Sequence, residues 1–335
     1  MKKIFVLCPY MSTGGPQTLH QLVDKINTLN LGDAYIVYLS GEKQVLNTYD
    51  KYNIKIAAQV EDKKDNIVIV PETATNYLAN YKNVKKMIWW LSLDYYFVTT
   101  LNVRVDNFMR YKKLPKFLKP FVKILFNKFS TAGKIYKFDD NDTIFHLYNC
   151  EYARLFLIEN GIKEKNMMYL CGPIREEFFK QNPKINRENI VLYNPKKGMQ
   201  YTKKIIDYFE EKDSEIKFVP IQNMNFKQII KLMNKSKVYM DFGYFPGPER
   251  IPREAVSMGC CIITGKVGSS KNNVDVPIPN KYKFDVNCLN LEKIFDTIHN
   301  LVTNYDETCK EYDIYRKKAK DQVSLFDENI KIIFK

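Results

Sequence analysis

The chain has 335 residues, enough for two domains of ordinary size, and its 45% hydrophobic and 14% aromatic content excludes a disordered or fibrous protein. Its 52 Lys and Arg against 38 Asp and Glu leave a formal charge of +14, which asks for a phosphorylated substrate, an anionic membrane or nucleic acid as partner. Seven scattered cysteines, no C-x-x-C and only three histidines argue against a disulfide framework and against a zinc site, and favour reduced thiols in a cytosolic protein. No apolar run reaches the length of a membrane span, and the opening KKIFVLC is too short for a signal-peptide core.

From the N-terminus, the apolar run Lys3–Cys8 predicts a strand, Pro9–Pro16 a loop containing Gly14 and Gly15, and Gln17–Leu29 an amphipathic helix. A glycine pair between a first strand and its helix lets backbone approach a ligand closely, although any tight turn at that place also favours glycine. The spacing is not G-x-G-x-x-G, so no dinucleotide site is read here. His20, early in the helix, is a candidate base or substrate contact, and a lone histidine also suits a structural place. Further apolar runs at Ala34–Leu39, Ile67–Val70, Met87–Leu91 and Ile144–Tyr148 alternate with polar or helical spacers, the pattern of a parallel sheet covered on both faces. Glu72, just beyond the run Ile67–Val70 and Pro71, has the placement of a site residue or of a charge beside a helix start.

The segment 104–137 interleaves Lys and Arg with Phe, Leu, Ile and Tyr, and has no acidic residue after Asp106. Phe117, Leu118, Phe121, Ile124, Leu125 and Phe129 recur at near-helical spacing with Lys116, Lys119, Lys123 and Lys128 between them. Such a stretch suits docking to an anionic membrane, at about 1 kcal/mol per basic residue near the surface. The same pattern also suits aromatics in the core with solvated lysines. Basic residues among aromatics occur in single-strand nucleic-acid grooves as well, but no nucleic-acid module motif accompanies them, and no nucleic-acid partner is expected.

Gly172-Pro173 and the polar stretch Lys180–Asn189 mark a domain change. A second series follows: strand Ile190–Tyr193, the loop NPKKG with Lys196 and Lys197, a helix near Tyr201–Glu211, strand Ile216–Pro220, and a helix near Phe226–Lys235. Strand Val238–Phe242 then leads through a loop with Gly243, Pro246, Gly247 and Pro248 to a short helix entered at Pro252, and on to strand Cys261–Thr264. This is a βαβ unit, whose ligand site lies beyond the carboxyl ends of its strands, where Glu249, Arg250, Arg253 and Glu254 fall. Acidic residues in a helix's first turn are also common simply because they complement its dipole. Gly265–Ser270, with Gly268, lies past the last of these strands and suits phosphate contact by backbone N–H groups. Helices near Leu289–Asn304 and Asp306–Gln322 and a mixed tail complete the reading.

The run PREAVSMGCCIITGKVGSS resembles the donor-binding segment of GT-B glycosyltransferases, in particular the retaining family-4-like group. There a glutamate opening the helix bonds the donor's ribose, and Glu254 matches it. The family's second glutamate, in E-x7-E, falls here on Pro246, and Glu249 stands closer to Glu254 instead. NCEYARLFLIENGIKEKNMMYLCGPIREEF is similar to the closing stretch of the family's N-terminal domain, and NPKKG to its basic loop at the donor diphosphate.

The resemblance implies two doubly wound Rossmann-like α/β domains facing across a cleft: 1–175 on the acceptor side, 176–310 binding the nucleotide-sugar, and 311–335 packing back on the first. It implies transfer of a sugar, most plausibly UDP-linked, to a glycan or lipid-linked acceptor in bacterial surface-polysaccharide synthesis. No cofactor and no metal are expected, and the protein is expected in the cytoplasm or at the inner face of the cell membrane. Lys196, Lys197, Arg250, Glu254, Gly14 and Gly268 are assigned to the donor, and Glu249, Gly15 and His20 to the reacting centre. The alternatives are a nucleotide-sugar epimerase on the same fold and a non-catalytic scaffold binding membrane or nucleic acid through its basic segment.

Overall fold

The computed structural model describes residues 2–129, 135–139, 142–181, 185–212 and 215–335. Parts of two expected features, 130–134 of the basic segment and 182–184 of the domain change, lie outside the described residues, as does the Phe129 side chain. The chain forms two compact units, one of Met1–Gly172 with Phe326–Lys335 and the other of Pro173–Leu325.

The first unit holds a seven-stranded sheet of β1 (Lys3–Cys8), β2 (Asp33–Tyr38), β3 (Lys55–Ile56), β4 (Ile67–Pro71), β5 (Lys85–Trp90), β6 (Ile144–Tyr148) and β7 (Met167–Tyr169). The order is β3-β2-β1-β4-β5-β6-β7 and every pairing is parallel. β1 and β4 are apolar along nearly their whole length because both sheet faces are covered. On one face α1 (Gly14–Thr28) lays Leu19, Leu22, Val23 and Ile26 against the sheet, the i, i+3, i+4, i+7 pattern of an amphipathic helix. The remaining helices of this unit are α2 (Leu93–Thr99), α3 (Leu101–Tyr111), α4 (Lys119–Phe129) and α5 (Glu151–Glu159).

The second unit holds β8 (Glu188–Tyr193), β9 (Lys217–Pro220), β10 (Ser236–Asp241), β11 (Cys261–Gly265) and β12 (Lys283–Phe284), all parallel, in the order β12-β11-β10-β8-β9. Its helices are α6 (Met199–Lys212), α7 (Phe226–Lys235), α8 (Arg250–Ser257), α9 (Leu291–Thr303), α10 (Tyr305–Thr308) and α11 (Asp313–Phe334). Strand order reverses between β1 and β4 in the first unit and between β8 and β10 in the second. At such a reversal adjacent crossovers leave on opposite faces and open a crevice at the strands' carboxyl ends.

One expectation is corrected. The tail after Gln322 is helical, not mixed: α11 continues to Phe334, and Phe326, Ile330 and Phe334, four residues apart, enter the first unit's core, where Phe326 stacks on Trp89 at 6.4 Å. The two-residue strands β3 and β12 are too short for any apolar alternation to register in the sequence. The basic segment divides its apolar residues between the two readings the sequence left open. Leu118, Val122 and Phe126 turn toward Val105, Phe108 and Met109 of α3 in a small separate core, while Phe117, Phe121, Ile124 and Leu125 stay exposed.

All seven cysteines are free thiols and five are buried. Among the described residues, no helix is long and apolar enough to cross a membrane.

Candidate functional site

The reversal in the second unit gathers charge. After β8 the chain runs through Lys196 and Lys197 to Gly198, whose φ of +67° is a left-handed conformation. A Cβ on Gly198 would stand 2.4 Å from the Gly243 backbone nitrogen, so glycine is required for the loops after β8 and β10 to touch. Gly243 in turn leaves room for the Lys197 stem, since a Cβ there would meet Lys197 Cγ at 2.5 Å. The lysine is thereby threaded between the two strand ends.

Its ammonium has fixed partners. Lys197 Nζ lies 2.8 Å from Glu249 Oε2, 3.3 Å from Asp241 Oδ2 and 3.1 Å from the Tyr244 carbonyl, with the Phe245 ring centroid at 4.6 Å. Asp241, the last residue of β10, also accepts from the Tyr239 hydroxyl at 2.9 Å and from the Gly243 N–H at 2.9 Å. Burial pulls the Lys197 ammonium down, but the facing Asp241 and Glu249 carboxylates outweigh it and the pKa is raised. Burial pushes the Glu249 carboxyl up, against the opposing pull of Lys197. One cation thus serves two carboxylates, and Glu249 is held less acidic than an exposed glutamate.

Glu249 is also the residue from which α8 starts, and Arg250 in the first turn reaches forward to Glu254 at 2.8 Å. Glu254 is only 5% exposed, so this pair is close to the protein interior rather than a surface ornament. Arg253 points elsewhere: its Nε donates to the Glu249 carbonyl and its Nη1 to Gln322 Oε1 at 2.7 Å, tying α8 to α11. The loop after β11 closes the same edge. Ser269 N–H donates to the Phe245 carbonyl at 2.9 Å and Ser269 Oγ to the Gly247 carbonyl at 2.7 Å. Gly268 has φ +49°, and a Cβ there would stand 2.1 Å from the Phe245 oxygen. The N–H groups of Val267, Ser269 and Ser270 are bonded within the unit, so packing accounts for much of what the sequence offered as phosphate donors.

Lys196, Lys197, Glu249, Arg250, Glu254 and Gly268 are therefore brought to one edge of one unit. Gly14, Gly15 and His20 belong to the other unit, at the reversal between β1 and β4. Gly15 has a single side-chain neighbour, Leu91 Cδ1 at 3.9 Å from the place of a Cβ, so the unit itself does not demand glycine there. His20 is fully buried and stacked on Tyr49 at 4.1 Å. Its Nδ1 bonds the Pro16 carbonyl at 2.7 Å and its Nε2 the Tyr38 hydroxyl at 2.8 Å, and burial lowers its pKa. With both nitrogens engaged away from solvent, the ring has the surroundings of a structural histidine, and no proton-transfer role is carried forward for it.

Glu72 is likewise buried; its Oε2 accepts from the Leu91 N–H at 2.9 Å, and burial pushes the carboxyl up to about 7 despite backbone N–H donors. His146, a third buried group of this unit, accepts from Trp90 Nε1 at 3.0 Å and is lowered to about 4 by burial. Sequence reading passed over Asp241. Its signal was a lone carboxylate closing an apolar strand just before a glycine. Among the described residues there is no group of three or more His, Cys, Asp or Glu placed to hold a metal ion.

No protein-family model matches the chain, and no curated protein matches it by sequence. Solved structures do resemble it along almost its whole length. A glycosyltransferase from Rickettsia africae ESF-5 shares 12% identity over 99% of this chain and 97% of that one, with a TM-score of 0.60. WaaG, a glycosyltransferase involved in lipopolysaccharide biosynthesis, shares 11% identity over 99% of each chain with a TM-score of 0.60. Anabaena Alr3699/HepE, solved in complex with UDP-glucose, shares 10% identity over 99% of each chain, again at 0.60. These likenesses, with the two parallel sheets and their reversals, define the fold as GT-B.

Proposed function

We propose that the chain is a glycosyltransferase that moves a sugar from a UDP-linked donor to a glycan or lipid-linked acceptor in surface-polysaccharide synthesis. The observation that carries this reading is the convergence of Lys196, Lys197, Glu249, Arg250 and Glu254 at the strand-order reversal of the second unit. The UDP-glucose complex of HepE and the lipopolysaccharide role of WaaG support the donor and the product class. In this reading Glu254 bonds the ribose and Glu249 faces the donor sugar, while Lys196, Lys197 and Arg250 meet the diphosphate. Lysine serves there as a point charge, and Asp241 and Glu249 hold the Lys197 ammonium in place before the donor arrives.

We read the enzyme with the retaining group, with front-face attack and the leaving diphosphate taking the acceptor proton. Fixed positive charge then stabilises the leaving group without a metal ion, and turnover undiminished by a chelator is the expected result. Gly14 and Gly15 offer backbone to the reacting centre. The basic α3–α4 segment is read as a contact with the anionic inner face of the cell membrane.

The test is thermal unfolding against UDP-, GDP-, CMP- and ADP-sugars. A ligand at a hundred times its dissociation constant stabilises by about 2.7 kcal/mol. A shift with UDP compounds alone supports the proposal, and no shift with any sugar nucleotide overturns it.

A further inference from the structure

Beside the basic segment the first unit contains a cavity of about 460 Å³, within the range of roughly 300–1,000 Å³ typical of small-molecule sites. Its walls are aromatic. Tyr96 and Phe97 come from α2, Phe156 from α5 and Phe138 from the strand-proximal loop, and their rings pack on one another at 5.4–6.3 Å. Among the described residues, the charged ones lining it are Lys123 and Lys137, both exposed; the Asp139 carboxylate, next to Phe138, acts on the Tyr96 hydroxyl from outside the lining. Such a space suits a ligand with an apolar body and an anionic end.

The surroundings indicate where such a ligand would come from. Across 104–137 ten Lys and Arg stand against one Asp, which places nine of the chain's net fourteen positive charges in a tenth of its length. α4, which contributes Lys123 to the cavity, with the turn before it also carries Phe117, Phe121, Ile124 and Leu125, between 55% and 74% exposed. Apolar side chains standing in water among lysines are complementary to a bilayer with anionic headgroups.

We infer that this cavity binds a single anionic lipid, its hydrocarbon chain between Phe97, Phe138 and Phe156 and its phosphate between Lys123 and Lys137. The inference deepens the reading of the segment as a membrane contact: it adds a stoichiometric site to a surface that would otherwise attract lipid only through net charge. It is independent of the donor site, whose residues lie in the other unit.

Trp90 packs on Phe138 at 5.7 Å and on Tyr96 at 5.3 Å, so tryptophan fluorescence reports on the cavity. The probe is dihexanoyl-phosphatidylglycerol, kept below its micelle concentration. Titrated into the full chain it is expected to give a saturable change, weakened about tenfold or more by Lys123→Glu with Lys137→Glu, since each basic residue contributes to headgroup attraction. Phosphatidylcholine of the same chain length is expected to bind at least tenfold less tightly, and sn-glycerol 3-phosphate not to bind. Asn102→Phe, at an exposed position on the cavity wall, is expected to block the change without altering the charge or adding a tryptophan.

Absence of saturation, equal binding by the lysine variant or by phosphatidylcholine, or an equal response to glycerol phosphate would each overturn the inference. The same proteins are scanned with UDP-sugars. An unchanged thermal shift in the lysine variant separates loss of the lipid site from failure of the donor reading.

Discussion

The two sheets reverse their strand order in the same manner, yet the groups near the two reversals are kept in opposite electrostatic states. In the first unit burial removes charge: the His20 ring is held by a carbonyl and a hydroxyl with its pKa lowered, and the Glu72 carboxyl is pushed up to about 7. In the second unit burial is offset by pairing, with Lys197 shared by Asp241 and Glu249, and Arg250 bonded to Glu254. The topology alone therefore makes two crevices, and the side chains give them different electrostatic character.

Removing Lys197 breaks this contrast most severely. Lys197→Met leaves the Asp241 and Glu249 carboxylates facing each other beside buried aromatic rings, and loss of one partner from a buried ionic group costs about 3–5 kcal/mol. Urea unfolding is expected to show a loss of that order together with lost UDP-sugar binding. A variant of unchanged stability would place the ammonium's worth outside the folded core.

The next effect lies in the first unit and depends on pH. With its folded pKa at about 7 against an ordinary 4.5, Glu72 keeps a proton in the folded state that the unfolded chain has released. Its contribution is fully present below pH 4.5 and is lost as pH rises through 7. His146 acts in the opposite sense: lowered from 6.5 to about 4, it makes the fold less stable as pH falls between those values. The two trends offset each other in the wild type. Glu72→Gln removes one, so its stability is expected to fall more steeply from pH 6.5 to 4.5, with a change on the order of 3 kcal/mol relative to wild type between pH 4.5 and 7. Parallel pH profiles for the two proteins would contradict the neutralised state of this crevice.

Glu254→Ala tests binding more than folding. A hydrogen bond to a charged group contributes about 1.5–3 kcal/mol, so donor affinity is expected to fall ten- to a hundredfold by calorimetric titration, with a smaller loss of stability from the freed Arg250. Lys196→Ala is the mildest change. The side chain is exposed, so stability is expected to stay within about 0.5 kcal/mol while affinity for UDP falls several-fold. Equal affinity would remove Lys196 from the diphosphate.

Much of the architecture was readable because parallel strands covered on both faces are written as apolar runs, as in IFVLC, IVIV and CIIT. Strand order was not readable, since β8 pairs with β10 rather than only with β9 through contacts that no local pattern encodes. The helical tail was readable in principle: Phe326, Ile330 and Phe334 repeat every fourth residue, but charged neighbours mask the repeat. In the site, Lys197 and Glu249 stood out as charges on glycine-rich loops. Their mutual contact, and the part played by Asp241, depended on how closely Gly198 and Gly243 let two loops approach, a property of tertiary packing. The surroundings of His20 were out of reach for a related reason. Pro16 lies one turn back on the same helix, but Tyr38 supplies the second buried partner from a strand that the sequence does not connect to the ring.

The central claim is that the paired charges of the second unit form a uridine-diphosphate site. It is tested most directly by titrating UDP and UDP-glucose into the wild type and into Glu254→Ala, with circular dichroism confirming that both are folded. The account predicts saturable binding of both ligands to the wild type and affinity weakened at least tenfold in the variant. Equal affinity of the two proteins, or no binding by the folded wild type, would contradict it.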